Sequence, residues 1–326
     1  MSGVKNIEIT NDDHGIRLDR WFKRHYPYAS FGQLQKVMRK GEVRLDGKRV
    51  KGNERIEAGQ VVRIPPTVVT ESDTPQQQKQ EPKKLSIDEI KEVQSWVIYK
   101  DDAVIAINKP AGLATQGGTG QNRHVDGLLH ALKFDSAHRP RLVHRLDKDT
   151  SGTLLLGRSP NAAAALAKAF QTKDTDKRYW ALVAGAPQNL DGRVILKMDK
   201  LAIKGNERMV VSDSGKHSLT DYSVIERASG AAAWLALKPH TGRTHQLRLH
   251  CAEMGHPIVG DGKYGGPASF LTGAISRKLH LHSRFITFPH PDGGELTVTS
   301  PLSEHMAASF DFLGFDVKSY EDPDFE

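Results

Sequence analysis

Residues 66–89, PTVVTESDTPQQQKQEPKKLSIDE, are rich in Pro, Gln, Lys and Glu and show no apolar periodicity. A stretch of that composition buries too little apolar surface to offset the entropy of ordering it. The 326-residue chain is therefore expected to divide into a small N-terminal domain, 1–66, a flexible linker, 67–92, and a large C-terminal domain, 93–326. The two domains differ in charge. Residues 1–65 hold fourteen Lys and Arg against eight Asp and Glu, while the end of the chain from Asp311 is acidic. A compact basic module on a nearly neutral body fits a polyanionic partner, although a solvated charged surface would have the same composition.

Several function classes drop out early. The chain has no run of 18 or more apolar residues, so no spanning helix and no membrane partner is expected. The N-terminus, MSGVKNIEITNDDHG, lacks a basic stretch followed by an apolar one, which favours a cytoplasmic protein over a secreted one. The single cysteine, Cys251, allows neither an intramolecular disulfide nor a multi-cysteine zinc site. A monomer is the default expectation.

In the N-terminal domain, Leu18, Trp21, Phe22 and His25 recur on one helical face. Ser30 and Gln33 form a capping-box pattern ahead of a second helix with Phe31, Leu34, Val37 and Met38 on its apolar face. Arg39 and Lys40 suit the end of that helix, and Gly41 suits its left-handed cap. Residues 42–45 alternate like a strand into the turn Asp46-Gly47, and residues 59–64 read as a last strand halted by Pro65-Pro66. The run RLDRWFKRHYPYASFGQLQKVMRKGEVRLDGKRV resembles an S4 (αL-type) RNA-binding domain. The resemblance implies that Lys23, Arg24, Lys36, Arg39, Lys40, Arg44 and Lys48 meet backbone phosphates, contacts that position RNA without reading its sequence.

The C-terminal domain alternates short strand-like runs with loops and few helices. Residues 104–107, 154–156, 179–183, 233–237 and 285–288 read as strands. Residues 161–171 and a segment from Thr244, with Leu247, Cys251 and Met254 on one face, read as helices. Many strands with few crossover helices predict an α+β fold on a mixed, mostly antiparallel sheet.

The densest chemistry lies in LVHRLDKDTSG, residues 142–152. A carboxylate at the end of a buried strand and flanked by cations stays ionised and can act as base or nucleophile. The residues alone do not choose between Asp147 and Asp149, and a surface turn with mutual ion pairs would look the same.

HRLDKDTSG resembles the signature of the RluA-type pseudouridine synthases, and four further segments match that family in order. They are NKPAG at 108–112, KRYWALV at 177–183, TGRTHQLRLH at 241–250 and GDGKYG at 260–265. The resemblance implies that Asp147, rather than Asp149, is catalytic. It implies that Tyr179 packs on the target base, and that Arg248 forms an ion pair keeping Asp147 charged in a dry pocket. Arg145 resembles the residue that fills the gap left by a flipped base, and Leu281 is expected to line the base pocket. The family shows Ala where this chain has Ser283. The implied reaction turns uridine into pseudouridine and requires extrusion of the nucleotide from its stack. The implied partner is ribosomal RNA, either 23S rRNA or the pre-ribosomal large subunit, with no cofactor. A non-catalytic RNA-binding ribosome assembly factor retaining this fold is the alternative.

Other signals weigh less. His280, His282 and His290 invite a metal, but no acidic or cysteine partner lies near them in sequence, and none is expected. His245 and His250, five apart, are poorly spaced ligands and read as hydrogen-bonded structural residues. Gly117-Gly118-Thr119-Gly120 lacks the Lys-Ser/Thr pair of a phosphate cradle and reads as a mobile loop near the site. Cys251, Trp21, Trp96, Trp180 and Trp234 are expected in the core.

Overall fold

The computed structural model describes residues 3–27, 29–68, 85–117, 123–203, 206–320, 323 and 325. It divides into two compact units, Met1–Lys84 and Leu85–Glu326. The first contains β1 (Lys5–Glu8), α1 (Leu18–His25), α2 (Phe31–Lys40), β2 (Arg44–Leu45), β3 (Lys48–Arg49) and β4 (Val61–Ile64). Its sheet runs β1-β4-β2-β3, every pairing antiparallel. Leu18, Trp21 and Phe22 on α1 and Leu34, Val37 and Met38 on α2 form its core with Val62 and Ile64. The Ser30–Gln33 capping box forms, and Gly41 closes α2 at φ 72°. Two residues depart from expectation. His25 is exposed, its ring 4.9 Å from that of Trp21 and its Nε2 2.7 Å from Asp13, and Phe31, at the solvent-facing first position of α2, is 67% exposed.

The expected linker, 67–92, falls mostly on residues outside the described set, and its two ends lie within it. Val68 joins the first unit's core. Ser86 and Glu89 form a capping box that starts α3 (Ile87–Ser95), and Val93 on that helix is buried. The Ser-x-x-Glu pattern outweighs the polar composition there.

The second unit continues with β5 (Val97–Lys100), β6 (Val104–Lys109), α4 (Val125–Leu128), β7 (Arg141–Leu142), β8 (Ser151–Gly157), α5 (Pro160–Thr172) and β9 (Asp176–Ala184). It then runs through β10 (Asp191–Ile203), β11 (Asn206–Val211), β12 (Lys216–Ala228), β13 (Ala232–Pro239), α6 (Gln246–Glu253), β14 (Leu281–Pro289), β15 (Glu295–Thr299) and α7 (Glu304–Leu313). The eleven strands make one sheet in the order β11-β10-β12-β13-β9-β14-β8-β6-β5, with β15 added on β14 and β7 on β8. Among the described strands only β14–β8 pairs in parallel, so the mostly antiparallel α+β expectation holds.

Strand periodicity sets what each face covers. On β6 and β8, Ile105, Ile107, Leu154 and Leu156 pack with Val93 of α3, while Val104, Ala106 and Leu155 pack with Leu166 of α5. On β9, Tyr179, Ala181 and Val183 share a cluster with Leu247 and Cys251 of α6. Trp180 and Leu182 point the other way, toward Met306 and Phe310 of α7. Tyr179 thus sits on the α6 face of the central strand. Gly152 holds β8 to β14: its φ is +107°, and a Cβ there would lie 2.3 Å from Ser283 O. Among the described residues, no helix is long and apolar enough to cross a membrane.

The His-x-His pair is internal structure. His280 Nε2 bonds Ser309 Oγ at 2.8 Å, and His282 Nδ1 bonds Ser151 Oγ at 2.8 Å. His290 pairs with Asp101 at 2.9 Å. Among the described residues, no group of three or more His, Cys, Asp or Glu is placed to hold a metal. Burial pushes His282 down to about 3, so folding holds it neutral. The unfolded chain then binds more protons below pH 6.5. Stability from this residue is full above that pH and is lost as pH falls toward the folded value. Between pH 7 and pH 5 the wild type is expected to lose about 2 kcal/mol more than His282→Asn. Urea unfolding at the two pH values measures this, and equal losses in both proteins would contradict it.

Candidate active site

The loop between β7 and β8 carries Asp147, and neighbouring residues lock it in place. Thr115 Oγ1 both donates to Leu146 O at 2.6 Å and accepts from Leu146 N at 3.1 Å. Thr150 N donates to Asp147 O at 3.2 Å and Gly112 N to Lys148 O at 2.9 Å. Lys109 is completely buried, and its ammonium donates to Pro110 O and Leu113 O at 2.8 Å and to Lys148 O at 3.1 Å. Burial pushes that ammonium down to about 7, against the pull of Asp149 and Asp147. The Asn-Lys-Pro-Ala-Gly segment is therefore a clamp on the carboxylate loop.

Asp147 lines a cavity of about 140 Å³, together with Arg145, Tyr179, His245, Arg248 and Leu281. All five residues expected at the site are thus gathered there. Asp149 is exposed and does not line the cavity, which separates the two aspartates that the sequence left level. The Tyr179 phenol is pushed up to about 12, chiefly by burial, so it is neutral at pH 7 and presents a flat apolar face with one proton to donate. Leu281 is buried beneath the cavity, and Arg145 is exposed at its wall.

Arg248 corrects one expectation. Its Nε and Nη2 each donate at 2.7 Å to the two carboxylate oxygens of Asp261, and no ion pair with Asp147 forms within 4.0 Å. Asp261 is buried and also accepts from Lys263 N and Tyr264 N at 3.2 Å. Burial opposes the guanidinium charge. The bonds and charge of Asp261 more than offset it, with Asp147 adding through space, so Arg248 titrates above its ordinary range. The Gly-Asp-Gly-Lys-Tyr-Gly segment supplies the partner that a planar guanidinium fork needs.

His245, expected as a structural residue, lies beside Asp147 in the cavity. Its Nε2 lies 4.0 Å from Asp147 Oδ2, and its Nδ1 bonds the Tyr264 hydroxyl at 2.8 Å, which in turn accepts from Met209 N at 3.2 Å. It sits in the left-handed region, at φ 52°, as the N-cap of α6. Gln246 secures this turn: its side-chain oxygen accepts from Thr241 Oγ1 at 2.7 Å and Arg243 N at 3.1 Å, and its Nε2 donates to Leu219 O at 3.0 Å. Gln246, Tyr264, Asp261 and Lys109 were not singled out from sequence, although each lies inside a recognised motif. His250 bonds Ser218 Oγ at 2.8 Å, away from the cavity, as a structural histidine does. Residues 118–120 of the glycine-rich loop lie outside the described residues.

In the N-terminal unit, Lys23, Lys36 and Lys48 are exposed and make no ion pair among the described residues. Arg24 is paired with Asp13 at 2.8 Å and Lys40 with Glu42 at 3.6 Å. Arg44 donates to Gly47 O at 3.0 Å and Arg39 to Gln35 O at 3.4 Å. Of the seven cations expected to meet phosphate, three are therefore wholly uncommitted.

Residues 103–253 match the family model described as RNA pseudouridylate synthase. An Arabidopsis thaliana protein named RNA pseudouridine synthase 4, mitochondrial, is 35% identical over 395 residues, covering 96% of this chain and 82% of its own. The Escherichia coli K12 protein named ribosomal large subunit pseudouridine synthase C is 36% identical over 309 residues, covering 93% and 94%. Among solved structures, human RNA pseudouridylate synthase domain containing 4 is 25% identical with a TM-score of 0.59, covering 72% of this chain and 99% of its own.

Proposed function

The chain belongs to the RNA pseudouridylate synthase family, and we propose that it isomerises specific uridines of large-subunit (23S) ribosomal RNA to pseudouridine with Asp147 as the catalytic carboxylate. The observation that carries the substrate is identity of 34–36% over about 93% of the chain with several bacterial proteins named ribosomal large subunit pseudouridine synthase C. The likeness includes the basic N-terminal unit as well as the catalytic one. That unit serves as the S4 module, with Lys23, Lys36 and Lys48 free for phosphate.

Each residue around the cavity takes a role its environment permits. The target uridine leaves its stack and enters beside Asp147, with its ring against the neutral face of Tyr179 and the apolar floor of Leu281. The exposed guanidinium of Arg145 stands where the base departed. Asp147 acts on the bound nucleotide so that the N1–C1′ bond breaks, the base turns, and a C5–C1′ bond forms. One proton leaves C5 and one arrives at N1, so the reaction is balanced without redox change. Arg248, fixed by Asp261, lends positive charge to the cavity, and His245 orients the Asp147 carboxylate.

Mapping pseudouridines across cellular RNA with and without the gene tests the reading. Specific large-subunit sites are expected to disappear in its absence and to return with the wild-type chain. If every large-subunit site persists, the substrate assignment fails. If Asp147→Ala also restores the sites, the chain acts as a non-catalytic assembly factor.

A further inference from the structure

A second cavity, of about 470 Å³, adjoins the one that holds Asp147, and Lys177 and Pro239 line both. Its size falls within the roughly 300–1,000 Å³ typical of ligand sites. Lys177 stands on the dividing ridge. It lies two residues before Tyr179 on β9, so strand periodicity puts both on the face that bears the cavity.

The ammonium of Lys177 feels the charge of neighbouring Asp176 but, among the described residues, makes no side-chain hydrogen bond and no ion pair within 4.0 Å. The nearby carboxylate of Asp176 is engaged through one oxygen, Oδ2, which accepts from Arg178 Nη2 at 2.8 Å and lies 3.5 Å from Lys238 Nζ, while its buried Oδ1 has no hydrogen-bond partner and lies beyond 4.0 Å from the Lys177 ammonium. Burial pushes the Lys177 ammonium below its ordinary range. A half-buried cation without an acceptor is costly, and a ligand anion removes the cost. Lys173 and Lys238 line the same second cavity, as do the carboxylates Asp174, Asp176 and Glu295, of which Asp174 and Glu295 are exposed.

We propose that Lys177 grips the phosphodiester joining the target uridine to its neighbour, and that the second cavity houses that neighbouring nucleotide. An extruded base stays tethered to its strand, so a strand whose base fills the first cavity must cross the ridge with its backbone. The ridge cation then meets the group that crosses it. This rests on the reading of RNA as substrate, and it adds a subsite for the flanking nucleotide.

The test uses the full chain and a ribosomal RNA fragment that the wild type modifies. A neutral methylphosphonate replaces the phosphate on one side of the target uridine or the other. One replacement is expected to lower wild-type kcat/KM about 10-fold, and Lys177→Met to do the same on the natural RNA. The two changes together are expected to cost no more than either alone, because both remove one contact. Lys177→Arg is expected to keep most of the activity, and Lys177→Met to melt no lower than wild type. Effects that multiply to about 100-fold, or a wild type indifferent to both replacements, would overturn the subsite. A wild type inactive on every such RNA would instead sink the reading of function.

Discussion

Asp147→Asn is expected to lower pseudouridine formation by about 10³-fold or more while leaving the melting temperature unchanged. The substitution keeps the shape and loses the charge. The loop does not depend on the side chain: Asp147 is bound through its backbone oxygen to Thr150 N, and its neighbour Leu146 through Thr115. The imidazole of His245, which burial pushes below its ordinary range, lies 4.0 Å from the carboxylate, too distant for a bond whose loss would unfold anything. Activity falls because an amide is neither a base nor a comparable nucleophile. Asp149→Asn, at an exposed position outside the cavity, is expected to retain activity within about 3-fold, as surface changes usually do. His245→Gln falls between, at about 10-fold, since it disturbs the orientation of Asp147 without removing it. Mass spectrometry of a modified RNA fragment measures all three. Equal activity in the Asp147→Asn and wild-type proteins would remove Asp147 from the chemistry.

Much of this fold is visible in local pattern, and what is hidden has a common cause. Strand alternation at residues 104–107 and 154–156 finds β6 and β8 because each face of the sheet is apolar there. The Ala-rich run between Asn161 and Gln171 finds α5, which begins at Pro160 under a Ser159 cap. Cys251 is core, its thiol pushed up to about 12 by burial. Local pattern does not reach partners. Arg248 faces Asp261 only because the chain turns after α6, and His245 reaches Tyr264 across the same turn. Likewise the choice between Asp147 and Asp149 turns on which one the Lys109 clamp directs into a cavity, a contact spanning 39 residues. The motifs point to residues that line one cavity, but Arg248 bonds Asp261 there and not Asp147.

That pairing carries the largest stability effect. Removing one partner of a buried ion pair strands the other charge, at a cost of about 3–5 kcal/mol. Asp261→Asn leaves the Arg248 guanidinium with a neutral partner and weakens the bonds to Lys263 N and Tyr264 N, so it is expected to lose that much. For a unit of this size the melting temperature then falls by about 6–20 °C. Replacing both partners, as Arg248→Met with Asp261→Leu, removes the stranded charge and is expected to recover part of the loss. Leucine accepts no hydrogen bond, so the two backbone bonds to Lys263 N and Tyr264 N are lost and recovery is incomplete. Activity separates a structural pair from a functional one. If the pair only braces the fold, the double variant regains activity along with stability. If Arg248 supplies charge to the cavity beside Asp147, the double variant melts higher than Asp261→Asn yet stays at least about 100-fold below wild type in kcat. Calorimetry and single-turnover assays on the same preparations measure both, and a parallel recovery would reduce Arg248 to a brace.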